Sequence, residues 1–333
     1  MKTRILVAAA LLAAFSSVSV RAATCSLGLM ASLDMTVLPD GRVTVPVSVN
    51  GQTMQFLVDT AGVFSEIGED TAQKLNLKET DPPVTMYGVG GKLRVKSALI
   101  ESFKIGNNEA RDFHIGVRHG TSQSDAKPNK GGEAFDGLLA PDFLSLFDVE
   151  FDFAAKKMYL FSQDHCPGKV VHWTQDGYAE LPFQYTGGPI STTPHIRLRM
   201  TLDGHDVSTA VDTGAAGSFI GKGAASLIFG IDEASPGVTK APYFSDQFPV
   251  YRKQFTSLAL GGLAVQNPQV DILPDLEEKA FRMEHSEKSR DDPVYGTKLE
   301  SEDFTLGMNV LSKLHVYIAY KEHKMYVTAA GAH

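Results

Sequence analysis

The sequence contains little of what several common classes of protein depend on. Only two of its 333 residues are cysteines, Cys25 and Cys166, which excludes a four-cysteine zinc site and a dense disulfide scaffold. Lys and Arg number 31 against 39 for Asp and Glu, a net charge of −8, so no basic surface is available for a nucleic-acid partner. Beyond the N-terminal segment no stretch approaches about 18 consecutive apolar residues, so no membrane insertion is expected. With 43% hydrophobic residues, the chain must be held together by a packed core.

The N-terminal segment has the pattern of a secretory signal peptide. Lys2 and Arg4 precede an apolar run over residues 5–15, and small residues then lead to a cleavage-site pattern at residues 20–22. We therefore expect residues 1–22 to be removed and the protein to be periplasmic or secreted.

Export also bears on the two cysteines. In an oxidising compartment two cysteines usually pair, so we expect a Cys25–Cys166 disulfide that ties the start of the mature chain to the end of its first half. Cys166 lies within residues 165–194, which are rich in proline and glycine and predict a linker between two lobes.

The sequence contains a diverged tandem repeat. Residues 43–60 align without a gap with residues 196–213, 153 positions later. Each copy has alternating apolar residues, an Asn-Gly or Asp-Gly pair and a second apolar run. This pattern predicts a β-hairpin with a type I′ turn, followed by an aspartate: Asp59 in the first copy and Asp212 in the second.

A second aligned segment extends the repeat. Residues 138–161 match residues 305–328 at an offset of 167, with seven identities. The larger offset places an insertion of 14 residues in the second copy, and the polar stretch 277–303 is its expected position, as a surface loop.

The remaining pattern predicts a mostly β protein of two related lobes, residues 23–164 and 195–333. A short helix is expected after each aspartate, around residues 70–75 and 223–229, and most other segments alternate as strands.

The two aspartates stand at the ends of apolar strands, where a carboxylate is costly unless partners support it. One interpretation is structural, since Asp before Thr and Gly often supports a tight turn. The other is catalytic. If the two copies pack face to face, Asp59 and Asp212 meet, share one proton and hold a water between them.

A family resemblance rests on these residues. Residues 211–215, Val-Asp-Thr-Gly-Ala, followed by Ser218, resemble the active-site signature of aspartic proteases of the retropepsin-like and pepsin-like superfamily. Leu306-Gly307 resembles the hydrophobic-hydrophobic-Gly element that packs beneath that loop. The first copy repeats the signature at residues 58–60 with Ser65, and residues 138–140 take the place of the later element.

The resemblance implies an all-β, bilobal, pepsin-like fold of two duplicated retropepsin-like β-barrel lobes related by pseudo-two-fold symmetry. It implies a secreted aspartic-type endopeptidase with no metal and no other cofactor. The residues to which it assigns roles are Asp59 and Asp212 as the catalytic pair, Thr60 and Thr213 as braces of the two loops, Gly214 as a close backbone approach, and Ser65 and Ser218 as outer hydrogen-bond donors to the carboxylates.

A flap is also implied by the resemblance. Residues 86–91, with Tyr87 and Gly88, stand where the family has a mobile hairpin over the cleft. A peptide or protein substrate is expected beneath it, and one chain with both aspartates is expected to act as a monomer. The second-lobe counterpart, residues 239–251, contains Tyr243, Phe244 and Phe248, for which core packing is favoured over a substrate wall.

The first copy departs from the family pattern at Ala61 and Ala140, where glycine is usual. Gly62 is expected to supply the backbone dihedral that Ala61 does not. The departures leave open a catalytically impaired pseudo-protease that binds peptides in the cleft. A carbohydrate- or envelope-binding module is a further alternative, but it leaves the paired aspartates unexplained. The ten histidines are scattered, and none is expected to be a metal ligand.

Overall fold

The computed structural model describes residues 25–88, 91–119, 135–188, 191–241, 249–275 and 302–332. The predicted signal peptide, most of the polar insertion and the three aromatic residues Tyr243, Phe244 and Phe248 lie outside these ranges. Within them the chain is mostly strand, with short helices. The described helices are all too short to span a bilayer.

The first half of the chain supplies eleven of the described strands and two short helices. In chain order they are β1 (Leu29–Asp34), β2 (Thr36–Val37), β3 (Val43–Val49), β4 (Gln52–Val58), β5 (Glu66–Gly68), α1 (Glu69–Lys74), β6 (Glu79–Gly88), β7 (Gly91–Ile105), β8 (Asn108–His119), β9 (Gly137–Leu139), α2 (Pro141–Leu144), β10 (Asp148–Asp152) and β11 (Lys157–Phe161).

The second half repeats much of this order. Its described elements are β12 (Ala179–Pro182), β13 (Gln184–Gly188), β14 (Ser191–Leu202), β15 (His205–Val211), β16 (Ser218–Gly221), α3 (Lys222–Phe229), β17 (Val238–Lys240), β18 (Tyr251–Gln254), β19 (Ser257–Leu260), β20 (Leu263–Gln266), β21 (Gln269–Leu273), β22 (Phe304–Leu306), α4 (Met308–Leu311), β23 (Leu314–Ala319) and β24 (Lys324–Ala329).

The described strands form one sheet in each lobe and one sheet shared by both. The first lobe has the order β2-β3-β4-β9-β5-β8-β7-β6, and β3 also pairs with β7. The second has β17-β18-β21-β16-β22-β15-β14-β19-β20, with β13 paired to β14. In both, the strand before the aspartate runs parallel to the strand of the later element, β4 to β9 and β15 to β22. The predicted all-β, bilobal, duplicated fold is confirmed.

The hairpin that leads to each aspartate has the predicted turn. Asn50 and Gly51 have φ angles of 48° and 81°, and Asp203 and Gly204 have φ angles of 44° and 81°. Two consecutive left-handed residues define a type I′ turn, which suits Asn-Gly and Asp-Gly because asparagine and aspartate tolerate that conformation and glycine is unrestricted in it. The turn fixes the register of each hairpin and so the point at which its aspartate emerges.

The third sheet joins the two lobes. Its order is β1-β11-β10-β23-β24-β12, and the central pairing of β10 with β23 brings Val149 opposite Ile318. Each lobe contributes inward-facing apolar residues to a common core. The two halves therefore share a continuous backbone connection beneath the cleft.

The segment predicted as a linker, residues 165–194, contains strands in its second half. Residues 165–178 contain no strand, but residues 179–182 and 184–188 form β12 and β13. Pro182 ends β12 at the outer edge of the shared sheet, where its missing N–H costs no ladder bond. The expected Cys25–Cys166 disulfide is present and joins the segment before β1 to the first part of the linker.

A buried carboxylate links the linker to both halves of the shared sheet. Glu150 on β10 is 1% exposed and accepts hydrogen bonds from His172 Nε2 at 2.7 Å and His315 Nε2 at 2.9 Å. Burial alone would raise the pKa of Glu150, but the two histidine bonds outweigh it and lower the pKa. The bond from Glu150 raises the pKa of His172. A charged carboxylate between two imidazoles therefore holds β10, β23 and the linker together.

We expect the Glu150→Gln variant to lower the free energy of unfolding by about 3 kcal/mol at pH 6, because it leaves the histidines without their buried anion. The stability supplied by the raised pKa of His172 is present below about pH 6.5 and is lost as pH rises through its folded-state pKa. The loss caused by the substitution should therefore shrink between pH 6 and pH 9. Urea unfolding at each pH measures both quantities.

The matched control is Glu180→Gln. Glu180 pairs with Lys324 on the same sheet, but both side chains are more than a third exposed. We expect this variant to change the free energy of unfolding by less than about 0.5 kcal/mol. Equal losses in the two variants would contradict a special role for Glu150.

Candidate active site

Each aspartate is held at the end of its strand by the later element of its own lobe. The amide of Asp59 donates to Leu139 O at 2.9 Å, and the amide of Asp212 donates to Leu306 O at 3.0 Å. These bonds continue the parallel ladders β4–β9 and β15–β22 by one residue. The two side chains therefore leave their strands at equivalent points.

Four hydrogen bonds between Thr60 and Thr213 and the opposite loops join the lobes across the pseudo-two-fold axis. Thr60 Oγ1 donates to Val211 O at 2.7 Å, and Thr213 Oγ1 donates to Val58 O at 2.7 Å. Each hydroxyl also accepts the amide N–H of the other threonine at 3.1 Å. Because both threonines are buried, these bonds are shielded from water and brace the two loops against each other.

The carboxyls of Asp59 and Asp212 hydrogen-bond to each other at the centre of this arrangement. Asp59 Oδ1 also accepts the amide of Ala61 at 3.0 Å, and Asp212 Oδ1 accepts the amides of Gly214 at 2.8 Å and Ala215 at 3.0 Å. Burial raises the pKa of Asp59. Burial and the negative charge of Asp59 together raise the pKa of Asp212 well above its ordinary value. Two carboxyls in this position do not readily ionise together, so they titrate as one unit, and the larger rise at Asp212 favours that carboxyl as the protonated member.

Gly214 packs directly on the opposite carboxyl. A Cβ added to Gly214 would lie 2.6 Å from each carboxyl oxygen of Asp59, closer than any real contact. Glycine is required here for space, since its φ is not in the left-handed region. The first-lobe equivalent is Ala61, so the site is not symmetric at this position.

Ala140 is the other position at which the first lobe departs from the family pattern, and a neighbouring position differs in the opposite sense. Gly62 and Ala140 of the first lobe correspond to Ala215 and Gly307 of the second, so each lobe has one glycine and one alanine at this contact. A Cβ on Gly62 would lie 3.0 Å from the Leu138 side chain and 3.1 Å from the Ala140 methyl, whereas one on Gly307 would first meet the backbone of Gly217 and would lie 2.9 Å from Ala215 O. The expectation that Gly62 supplies an unusual dihedral was wrong: its φ is not positive, and it is small so that Ala140 fits.

Ser65 and Ser218 do not have the expected partners. Ser65 Oγ donates to Asp142 at 2.7 Å and accepts the amide of Ala140 at 3.0 Å. Ser218 Oγ makes the same pair of bonds, donating to the side chain of Asn309 and accepting the amide of Gly307. The expected bonds to the catalytic carboxylates were wrong, because each hydroxyl is used to tie its loop to the short helix of the later element.

Comparison with known proteins decides the family. A family model described as aspartyl protease matches residues 45–143 and 198–310, which together are more than half of the chain. The chain belongs to the aspartyl protease family. A search of curated proteins gives no match.

A solved structure shows the same fold as this aspartyl protease. The crystal structure of an aspartic proteinase from Irpex lacteus matches with a TM-score of 0.52 and 14% sequence identity, over 92% of this chain and 98% of that one. The two family segments contain Asp59 and Asp212, one in each half of the chain, and the structural match shows the pepsin-like fold.

The region expected to form the flap of the protease is a long hairpin. Strands β6 and β7 pair from Glu79 opposite Ala98 to Gly88 opposite Gly91, and Tyr87 stands opposite Lys92. Residues 89 and 90 lie outside the described residues, as does the side chain of Tyr87. The backbone places a hairpin where the resemblance implies one.

Two groups near Asp59 were missed by sequence reasoning. His195 Nε2 lies 2.8 Å from Gly62 O, across the boundary between the lobes. Glu66 forms an ion pair with Arg118 at 2.6 Å. Burial, together with the negative charge of Asp59, raises the pKa of Glu66. No motif identifies either residue, because their proximity to Asp59 depends on strand pairing. Across the described residues, no group of three or more His, Cys, Asp or Glu is arranged to hold a metal ion.

Proposed function

We propose that the protein is an endopeptidase that hydrolyses peptide bonds with a water activated by Asp59 and Asp212. The observation that carries the proposal is the pair of buried carboxyls that face each other across the lobes, held by the four threonine bonds. A structural turn cap would not require two such carboxyls to face each other, because their mutual repulsion is costly unless one stays protonated.

The chemistry follows from the unequal protonation of the pair. Ionised Asp59 removes a proton from a water as the water oxygen attacks the carbonyl carbon, while Asp212 gives its proton to the carbonyl oxygen. The product is a neutral tetrahedral diol. Asp59 then passes its proton to the amide nitrogen, the C–N bond breaks, and one diol hydroxyl returns its proton to Asp212 as the carboxylic acid forms. Both carboxyls regain their starting states.

The substrate that suits this site is an extended peptide or protein segment. A cleft between two lobes accepts a chain along its length, and the hairpin of β6 and β7 provides backbone groups for strand-like hydrogen bonds to it. Both aspartates belong to one chain, so a monomer is sufficient for activity.

Export is part of the proposal. The signal-peptide pattern of residues 1–22 and the Cys25–Cys166 disulfide both fit an oxidising compartment, the periplasm or the medium. The mature enzyme therefore begins near Ala23.

The test is cleavage of a denatured protein by the mature chain between pH 3 and pH 8, with and without a statin-type transition-state analogue. Activity requires one proton on the pair, so we expect a bell-shaped profile. Because the pKa of Asp212 is raised, the alkaline limb should lie well above pH 4. Cleavage that the analogue blocks supports an endopeptidase. Binding of the analogue without cleavage at any pH would identify a pseudo-protease instead.

A further inference from the structure

The lobes differ in how they satisfy one carbonyl of the active-site loop. In the second lobe the amide of Met308 donates to Ala215 O at 2.8 Å. The first-lobe equivalents of these residues are Pro141 and Gly62. Proline has no N–H, so the first lobe has no backbone donor for the Gly62 carbonyl at this position.

His195 provides the missing donor from the opposite lobe. Its Nε2 lies 2.8 Å from Gly62 O, and the two residues are 133 positions apart. A carbonyl oxygen only accepts hydrogen bonds, so Nε2 carries the hydrogen in either charge state of the ring. In the hairpin repeat the counterpart of His195 is Arg42, which bonds instead to Asp40 at 2.8 Å. The histidine contact is therefore specific to the loop of Asp59.

Gly62 is in contact with the catalytic carboxyl. A Cβ on Gly62 would lie 3.2 Å from Asp59 Cγ, and the Gly62 amide donates to Asp59 O at 3.3 Å. A donor that holds the Gly62 carbonyl in place therefore also restrains the backbone that contacts the Asp59 carboxyl.

His195 also acts on the charge of Asp59. Burial raises the pKa of Asp59, whereas the Ala61 amide, the Asp212 carboxyl and the charge of His195 oppose the rise. Burial and the anion of Asp59 raise the pKa of Asp212. A positive charge on the loop of Asp59 favours the ionised form of that carboxyl.

We propose that His195 is a positioning residue that replaces the N–H absent at Pro141, holds the loop of Asp59 and, when protonated, keeps Asp59 the ionised member of the pair. The catalytic part of this inference rests on the proposed function. The hydrogen bond to the loop does not.

The other charged groups on β14 and on the elements that pack against it include an exposed Arg199 and several groups that have partners of their own. Arg197, two residues further along β14, pairs with Glu302. Asp142 of α2 accepts hydrogen bonds from Ser65, and Glu180 of β12 pairs with Lys324. Tyr185 of β13 donates to Tyr320 O. His205 and Asp206 lie at the other end of the β14–β15 hairpin.

The first test separates the hydrogen bond from the charge. His195→Leu removes both, and we expect kcat to fall about tenfold or more with KM within about threefold, because a carbonyl is left without its donor. His195→Gln keeps an N–H donor without the charge, so kcat at the optimum should stay within about threefold. The acid limb of the pH profile of this variant should move to higher pH, because Asp59 is then protonated more readily. His205→Gln, on an exposed part of the same hairpin, is the control and should change neither.

The second test restores the backbone donor. Pro141→Ala returns an N–H to the position that Met308 fills in the second lobe. In the His195→Leu background it should recover most of the lost kcat and most of the lost stability to urea, but it should leave the acid limb shifted. Additive effects of the two substitutions would overturn the donor role.

The third readout does not need activity. In protein labelled with ¹⁵N-histidine, Nε2 of His195, assigned by its absence in His195→Gln, should show the chemical shift of a nitrogen that carries a hydrogen, because it donates to Gly62 O. An Nε2 without a hydrogen overturns the donor role. If the wild type cleaves nothing while the urea coupling and this signal are present, the proposed function fails and the assignment of His195 stands. Normal cleavage without either effect overturns only the assignment of His195.

Discussion

Asp212→Asn should lower kcat by about a thousandfold or more, because the asparagine amide cannot give the carbonyl oxygen a proton or take one back. Asp59→Asn should be as severe, because the attacking water then has no base. Cleavage of a labelled peptide at the optimum pH of the wild type measures both losses. If either variant kept more than a tenth of wild-type kcat, the carboxyl pair would not be the catalytic centre.

The two substitutions should not damage the fold. Burial disfavours the charged form of both aspartates, so a neutral side chain of nearly the same shape adds no buried charge at either position, and at Asp59 it removes one. We expect the Tm at pH 7 to equal or exceed that of the wild type, with an unchanged near-ultraviolet circular dichroism spectrum. Asp206→Asn, on the exposed part of the strand that leads to Asp212, is the matched control and should leave both kcat and Tm unchanged.

Gly214→Ala should produce the second large loss, about a hundredfold or more in kcat. The added methyl would overlap the carboxyl of Asp59, so the carboxyl must rotate or the two loops must separate. Either movement breaks the geometry in which the two aspartates share a proton, and small displacements of catalytic groups are costly. Both kcat and the affinity for a statin-type analogue should fall in this variant.

Two neighbouring substitutions control for a general effect of altering the loops. Ala215→Gly removes a methyl one residue further on and should change kcat by less than about threefold. Ala61→Gly removes the methyl from the first-lobe equivalent of Gly214, and we expect kcat to stay the same or rise. A Gly214→Ala variant with wild-type kcat would show that the carboxyl pair tolerates a methyl at this contact.

Most of the fold was predictable because it is encoded by local patterns that occur twice. The Asn-Gly and Asp-Gly turns fix hairpin registers through their φ angles, and the aspartates follow at a constant distance. Helices α1 and α3 begin and end within one residue of their expected limits. The strands within the linker were not predicted, because an edge strand tolerates the proline that elsewhere marks a break.

The partners of the polar side chains were not predictable in the same way. Ser65 and Ser218 share a spacing from the aspartates, but their bonds go to Asp142 and Asn309, about 80 to 90 residues further along the chain. The role of Gly62 depends on the methyl of Ala140, and that of His195 depends on an N–H that Pro141 lacks. Each of these is a relation between distant residues, and a local spacing contains no information about it.

The sequence by itself determined the duplication, the turn types, the two aspartates and their threonines, since these follow from the periodicity and backbone preferences of short segments. Only the tertiary structure decided that the aspartates face each other unequally. That asymmetry arises where one lobe places a cation, a glycine or a methyl against the other, because electrostatic and steric effects depend on distance in space and not on distance along the chain.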